Sequence, residues 1–223
     1  MTFATYLSLH PWQHKIQYKK DYLALDSLFK AESGFEASYH FQINPNLDKL
    51  AGRGVSFTQA CIPGGTCGAV CMPSRAMLNT GRTLFHLNGS GQEIPKEHKT
   101  IGETLQSAGY RTYGSGKWHN GKTAFARSFT DGAEIFFGGM ADHWNVPCYD
   151  FDPTGKYDKT CVEIKEPMWN KNLNIRQCDH ITAGKHSTDV IADAATDFIG
   201  KYDDDAPLYM YLSFLAPHDP RSM

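Results

Sequence analysis

Apolar positions near the end of the chain recur with a helical period. Val190, Ile191, Ala194, Ala195, Phe198 and Ile199 share one face, which predicts a helix capped by Ser187 or Thr188. An acidic turn at Asp203-Asp204-Asp205 separates it from the run Leu208 to Leu215, which is predominantly apolar and has the length of a buried strand. Upstream, Thr100-Ile101-Gly102-Glu103 has the spacing of a capping box and predicts a helix through Leu105 and Ala108 to Gly109. Tyr110-Arg111-Thr112-Tyr113 follows as a strand and runs into a glycine-rich loop, Gly114 to Gly121. Pro73 suits the first position of a helix, where its missing N–H costs nothing, and Cys71 then lies just ahead of the helix N-terminus. Pro45 to Ala51 reads as a short helix stopped by Gly52 and Gly54, and Val55-Ser56-Phe57-Thr58 alternates like a strand. Residues 1–42 show an interrupted helical pattern through Tyr22, Leu23, Leu25, Leu28 and Phe29. Residues 138–186 read as a loop-rich insertion on the substrate side rather than as core.

Helices alternating with apolar strands predict an α/β layered fold, with a mostly parallel or mixed central sheet flanked by helices. Ligands in such folds collect beyond the carboxyl ends of the strands. Three polar clusters fall there: Cys71 to Arg75, Lys117 to His119, and His218 in Ala216-Pro217-His218-Asp219-Pro220.

Composition narrows the class. The 223 residues are 41% hydrophobic and 21% charged, which suits one mixed domain or part of a larger one. The formal net charge of −2 lacks the basic excess of a nucleic-acid binder. Mean hydropathy is −0.45. No apolar run approaches a membrane span. The first ten residues lack a charged n-region and an apolar h-region, so no export signal is visible. Of six cysteines, Cys61, Cys67 and Cys71 share one glycine-rich loop, and Cys148, Cys161 and Cys178 lie in a second polar region. No paired C-x-x-C spacing occurs and no histidine is placed to complete a zinc site, which makes a zinc-binding module the weakest reading.

The polar clusters carry the chemistry. A helix N-terminus offers free N–H groups and a favourable dipole to an anion, and Arg75, one turn beyond Cys71, adds a cation. Taken alone, Cys71 reads as an inert buried thiol. Joined to Lys117, His119 and His218 it becomes a nucleophile candidate among cations and acid–base groups. Transfer of a sulfuryl or phosphoryl group needs that inventory, because its oxygens carry negative charge throughout.

These motifs resemble those of the type I sulfatases, of the alkaline-phosphatase-like superfamily. Cys71, Pro73, Ser74, Arg75, Thr80, Gly81 and Arg82 match the element C-x-P-S-R-x-x-x-L-x-T-G-R. A second element, G-Y-x-T-x-x-x-G-K-W-H-x-G, is matched by Gly109-Tyr110, Thr112, Gly116-Lys117-Trp118-His119 and Gly121. Ala216-Pro217-His218 and Pro220 match A-P-H-x-P, and Asn44 to Ala51 looks like the family's Pro-Asn-Leu-Asp helix. The resemblance implies that Cys71 is oxidised to formylglycine by a formylglycine-generating enzyme. The hydrate then attacks the sulfur of a sulfate ester, and a sulfated hemiacetal later eliminates sulfate. By the same analogy Arg75 and His119 hold the formylglycine hydroxyls, with His119 as the base for elimination. Lys117 binds sulfate oxygens and the nucleophile, and His218 contacts sulfate and assists the leaving alcohol. The implied partner is a sulfated small molecule or carbohydrate, with neither nucleic acid nor membrane. A periplasmic or secreted parent protein is the matching expectation.

The implied cofactor is Ca2+, and here the chain departs from the pattern. The family's first strand ends in an Asp-Asp pair, whereas residues 1–42 contain no adjacent acidic pair. A later Asp-Asn or Asp-His pair lies beyond the His218 strand in the family, and this sequence stops at Met223. Cys71, as formylglycine, is then the only metal ligand assigned. The expectation is a partial sulfatase catalytic domain over residues 43–223, incomplete and inactive as it stands, preceded by an unassigned segment 1–42. The rivals are a phosphate or phosphonate ester hydrolase of the same superfamily, and a non-catalytic relative that binds sulfated ligands.

Overall fold

Hydrogen bonds made by a few side chains fix where the helices begin. The computed structural model describes residues 64–66, 70–87, 91–158, 162–167, 173–216 and 218, all within one compact unit. Segment 1–42, the helix expected at 45–51 and the strand expected at 55–58 lie outside the described residues. The helices are α1 (Cys71–Thr80), α2 (Ile101–Ser107), α3 (Lys122–Ser128) and α4 (Ser187–Lys201), with a 3-10 turn at Leu84–His86. The strands are β1 (Arg111–Lys117), β2 (Asp131–Phe136), β3 (Pro147–Cys148), β4 (Val162–Pro167), β5 (Leu173–Cys178), β6 (His180–Ile181) and β7 (Leu208–Ser213).

The capping box of α2 forms as its spacing predicts. Thr100 Oγ1 accepts from the Glu103 N–H at 3.3 Å, and Glu103 Oε2 accepts from the Thr100 N–H at 2.8 Å. At α1 the prediction shifts by two residues. Cys71 is itself the first helical residue and Pro73 the third. The first N–H with an intrahelical acceptor belongs to Ser74, which donates to the Val70 carbonyl at 3.2 Å, so proline still removes no bond. At α4 neither Ser187 nor Thr188 is the cap. His186 is, with Nδ1 accepting from the Thr188 N–H at 3.3 Å. Val190, Ile191 and Ala195 form the buried face, while Ile199 is 54% exposed and falls off it.

β1 lies between β2 and β7, parallel to both, in the order β2-β1-β7. The expected glycine loop after Tyr113 is instead strand as far as Lys117, with Thr112 to Lys117 buried. Glycine is required there by close approach rather than by a turn. A Cβ on Gly114 would sit 2.7 Å from the Phe125 and Phe129 rings, and one on Gly116 would lie 2.1 Å from the Ser213 carbonyl oxygen. The β1–β2 register slips once: Ser115 faces Ala133 and Gly116 faces Ile135, leaving Glu134 as the extra residue of a bulge with φ 51°.

Segment 138–186 carries more structure than its sequence pattern shows. β3 and β6 pair antiparallel through Pro147↔Ile181 and Cys148↔His180, and β4 and β5 form an antiparallel hairpin. Ile135 and Tyr149 join β2 to this region by two backbone hydrogen bonds of 2.9 and 3.0 Å. Val146, Cys148, Tyr149, Tyr157 and Cys178 are buried, so the segment is partly core and Cys148 and Cys178 do not lie in a polar region. Scattered aromatics hide this from a periodicity argument, since strands of two residues have no measurable period. The main core gathers around Trp118, fully buried, with Phe125, Phe129 and Tyr211 edge-on at 5.4, 5.6 and 5.8 Å.

Candidate active site

The first turn of α1 and the end of β1 meet at Cys71. Cys71 Sγ lies 3.2 Å from His119 Nδ1, across 48 residues of sequence. Trp118 fixes the segment that carries His119. Its indole is buried in the core and donates from Nε1 to the Gly121 carbonyl at 2.8 Å, and its backbone N–H donates to the Phe136 carbonyl at 2.9 Å. Side chains alternate along an extended chain, so anchoring Trp118 leaves its neighbours Lys117 and His119 facing away from the core cluster. His119 adopts φ 63°, a left-handed conformation uncommon outside glycine and characteristic of functional sites.

Arg75 is fully buried. Its Nη1 donates to the Lys117 carbonyl, to Tyr211 Oη at 2.9 Å and to Ser213 Oγ at 2.5 Å. Among the described residues Nε and Nη2 have no hydrogen-bond partner. A buried guanidinium nitrogen without an acceptor is costly, and these two donors suit an anion or a further oxygen. Burial pulls the Arg75 pKa down, while Tyr211 and Cys71 act in the opposite sense.

Lys117 is also fully buried, and its Nζ donates to the Gly139 carbonyl. Burial, followed by the Arg75 charge, pushes its pKa down to about 8, against the pull of Cys71. His119 is pushed down to about 3, first by burial, then by the charges of Lys117, Arg75 and His218. It is therefore neutral near pH 7, with one ring nitrogen a donor and the other an acceptor. His218 follows β7, and its charge acts on His119. Of the residues expected from the sequence, Cys71, Arg75, Lys117 and His119 are thus brought together, with His218 acting on the group electrostatically.

Supporting residues went unread in the sequence. Asn120 Nδ2 donates to the Met72 carbonyl at 2.9 Å and the Gly91 carbonyl at 2.5 Å, tying the His119 segment to the start of α1. Gly139 accepts from Lys117, and a Cβ there would press 2.9 Å from His119 Cε1. His143 Nε2 donates to the His218 carbonyl at 2.8 Å and must therefore carry the proton, so Ser187 Oγ donates to Nδ1 at 2.7 Å. This chain of bonds pins the His218 segment to the start of α4. Only Asn120, adjacent to Lys117-Trp118-His119, and the Gly138-Gly139 pair gave any local signal. By contrast, the Thr80-Gly81-Arg82 end of the first motif caps α1: Gly81, at φ 65°, donates to the Met77 carbonyl at 2.9 Å, and Arg82 is exposed.

Residues 22–222 match the profile of the Sulfatase family. The chain belongs to the sulfatase family. It is similar to the uncharacterized sulfatase YidJ of Escherichia coli K12, 32% identical over 185 residues, which are 78% of this chain and 33% of that protein. It is also 30% identical to human arylsulfatase A over 205 residues, covering 79% of this chain and 37% of the relative. Among solved structures, Ps i-CgsB in complex with k-i-k-neocarrahexaose is 25% identical with a TM-score of 0.46, covering 67% of this chain and 35% of that one. The chain spans about a third of the length of the curated relatives it matches.

Sulfatases as a family use a formylglycine and a divalent metal. Among the described residues the donor set around Cys71 does not fit the metal. The charges that act on Lys117 and His119 are other cations and Cys71, with no carboxylate among them, and the partners of Arg75 are Tyr211, Ser213 and a carbonyl. A hard dication requires about six to eight oxygen ligands. Among the described residues this site has an anion's partners, not a cation's.

Proposed function

We propose that this chain carries the nucleophile and the sulfate-binding cations of a sulfatase, and that the protein hydrolyses organic sulfate esters through a formylglycine formed from Cys71. The observation behind this reading is the convergence on Cys71 of Arg75, Lys117 and His119, with the charge of His218 acting on His119. A formylglycine supplies a hydrated aldehyde as nucleophile in place of the thiol. The roles of the surrounding residues follow from their chemistry. Arg75, held rigidly through Nη1, offers its unpartnered nitrogens to the oxygens at position 71. Lys117 neutralises a sulfate oxygen and is the cation most responsive to that charge, since its pKa already lies near 8. Neutral His119, next to position 71, takes a proton from the hydroxyl when sulfate is expelled. His218 stabilises the leaving oxygen.

Calcium, the expected cation, would draw its carboxylates from outside the described residues. Its role stays apart from the steps assigned to these side chains. The relatives include arylsulfatases and an N-acetylglucosamine-6-O-sulfatase of Bacteroides thetaiotaomicron, so aryl and carbohydrate sulfates are the substrates to try. The test is turnover of matched sulfate and phosphate monoesters by the chain co-expressed with a formylglycine-generating enzyme, across a calcium titration. Faster sulfate release supports the proposal. Preference for phosphate would move the protein to the phosphoryl branch of the superfamily. Tight sulfate binding without turnover at any calcium concentration would make it a binding relative.

A further inference from the structure

A second cluster of metal-ligating side chains lies at the edge of the parallel sheet, with no role in the chemistry above. Glu134 comes from the bulge of β2, Cys148 from β3 and His180 from β6. One ligand atom from each, a carboxylate oxygen, Sγ and a ring nitrogen, lies within 4.8 Å of the other two. His180 Nε2 is 3.0 Å from Glu134 Oε2.

We propose that Glu134, Cys148 and His180 form a binding site for a zinc-class divalent cation. The donor set is one thiolate, one imidazole and one carboxylate, which is borderline-soft and suits zinc rather than calcium or magnesium. The geometry fits as well. Bonds of about 2.0–2.3 Å in a tetrahedron put ligand atoms roughly 3.3–3.8 Å apart, within small adjustments of the separations seen here. Cys148 is only 3% exposed, while His180 and Glu134 are part-exposed, so the sulfur is shielded and the opposite side is open to an entering ion and a water ligand. His180 Nδ1 faces Asp150 Oδ1 at 3.7 Å, which supplies the carboxylate that orients a metal-bound imidazole from behind.

The backbone is arranged to bring these groups together. Glu134 is the extra residue of the β2 bulge, and bulges re-aim a side chain out of the ladder. Its φ of 51° is strained for a glutamate, and the hydrogen bonds between Ile135 and Tyr149 on the following residue lock it in place. Cys148 and His180 are direct partners in the β3–β6 register, so one ladder position delivers both. A metal here would staple the β3–β6 pair to the edge of the main sheet. Spacing along the chain could not reveal it, because the three ligands come from separate strands and His180 meets Cys148 only through the β3–β6 pairing.

Cobalt(II) is the probe, because a thiolate ligand gives a near-ultraviolet charge-transfer band. Added to the chelator-treated full chain, it is expected to produce that band, saturating at one equivalent and displaced by zinc, with a rise in melting temperature. The band is expected to survive Cys71→Ser and to vanish in Cys148→Ser. His180→Gln and Glu134→Gln, at part-exposed positions outside the core, should each weaken binding by more than the ~10–100-fold loss typical of an outer-shell partner. No band, or a band that persists in Cys148→Ser, overturns the proposal. So does unchanged affinity in both glutamine variants. None of these outcomes depends on conversion or turnover at Cys71.

Discussion

Lys117 is the side chain through which pH reaches the candidate active site. Its ammonium is buried beside Arg75, so it releases its proton near pH 8 rather than at its ordinary value. A bound sulfate favours the charged form. Below about 8 the site is cationic and ready for an anion; as pH rises through that value, part of the binding energy is lost to reprotonating Lys117. Sulfate affinity measured by calorimetry should therefore be flat well below pH 8 and fall by up to about tenfold per unit above it. Lys117→Met should bind more weakly and lose that dependence. A dependence unchanged in the variant would place the titrating group elsewhere. The stability of the unliganded chain runs the other way. The folded state binds fewer protons than the unfolded chain between about pH 8 and the ordinary lysine value, so stability rises with pH in that window.

Arg75 depends on residues far from it in sequence. Ser213 Oγ accepts one of its hydrogen bonds at 2.5 Å inside the core. Ser213→Ala removes an acceptor from a buried charge and should cost about 1.5–3 kcal/mol in urea unfolding with an unchanged m-value. Sulfate affinity should fall with it, because the guanidinium loses an orienting contact. Stability unchanged within error would contradict the account of how Arg75 is held.

Among the elements, β1 decides the geometry of the site, since its last residue and the two that follow set Lys117, Trp118 and His119. Its path past β7 admits no side chain at Gly116: the backbone there has φ 82° and a Cβ would collide with the Ser213 carbonyl. Gly116→Ala should destabilise by about 3 kcal/mol or more and displace Lys117 and His119 together. Thr100→Ala, which deletes the cap of α2, should cost only ~0.5–2 kcal/mol and leave anion binding intact, as the cap lies away from the site. Equal losses of binding in both variants would show that binding reports general stability rather than the course of β1.

Legibility in the sequence followed the same division. The capping box, most of the α4 face and the start of the β7 run are local patterns with a strong physical signature and appear where their residues place them. Ile199 is nonetheless exposed, and β7 ends at Ser213, half-buried over much of its length. The polar clusters were legible because the ends of parallel strands are where such folds bind ligands. The extension of β1 through its glycines was not, since glycine-rich segments read as turns unless the neighbours that crowd them are known. Nor were the holders of Arg75 and His218: Tyr211, Ser213, His143 and Ser187 act across 44 to 138 residues of chain. The His186 cap was missed because histidine is an uncommon cap beside an adjacent serine and threonine.

At the scale of the whole molecule, the start of α1 and the end of β1 bring Arg75, Lys117 and His119 to one cysteine, beside the core around Trp118. The proposed function requires that position 71 become an aldehyde. The direct test is mass spectrometry of the peptide containing Cys71, after co-expression of the chain with a formylglycine-generating enzyme. The account predicts conversion of the CH2–SH group to CHO, a loss of sulfur and two hydrogens with the gain of one oxygen. A thiol that remains unmodified under conditions that convert a known sulfatase peptide would contradict it.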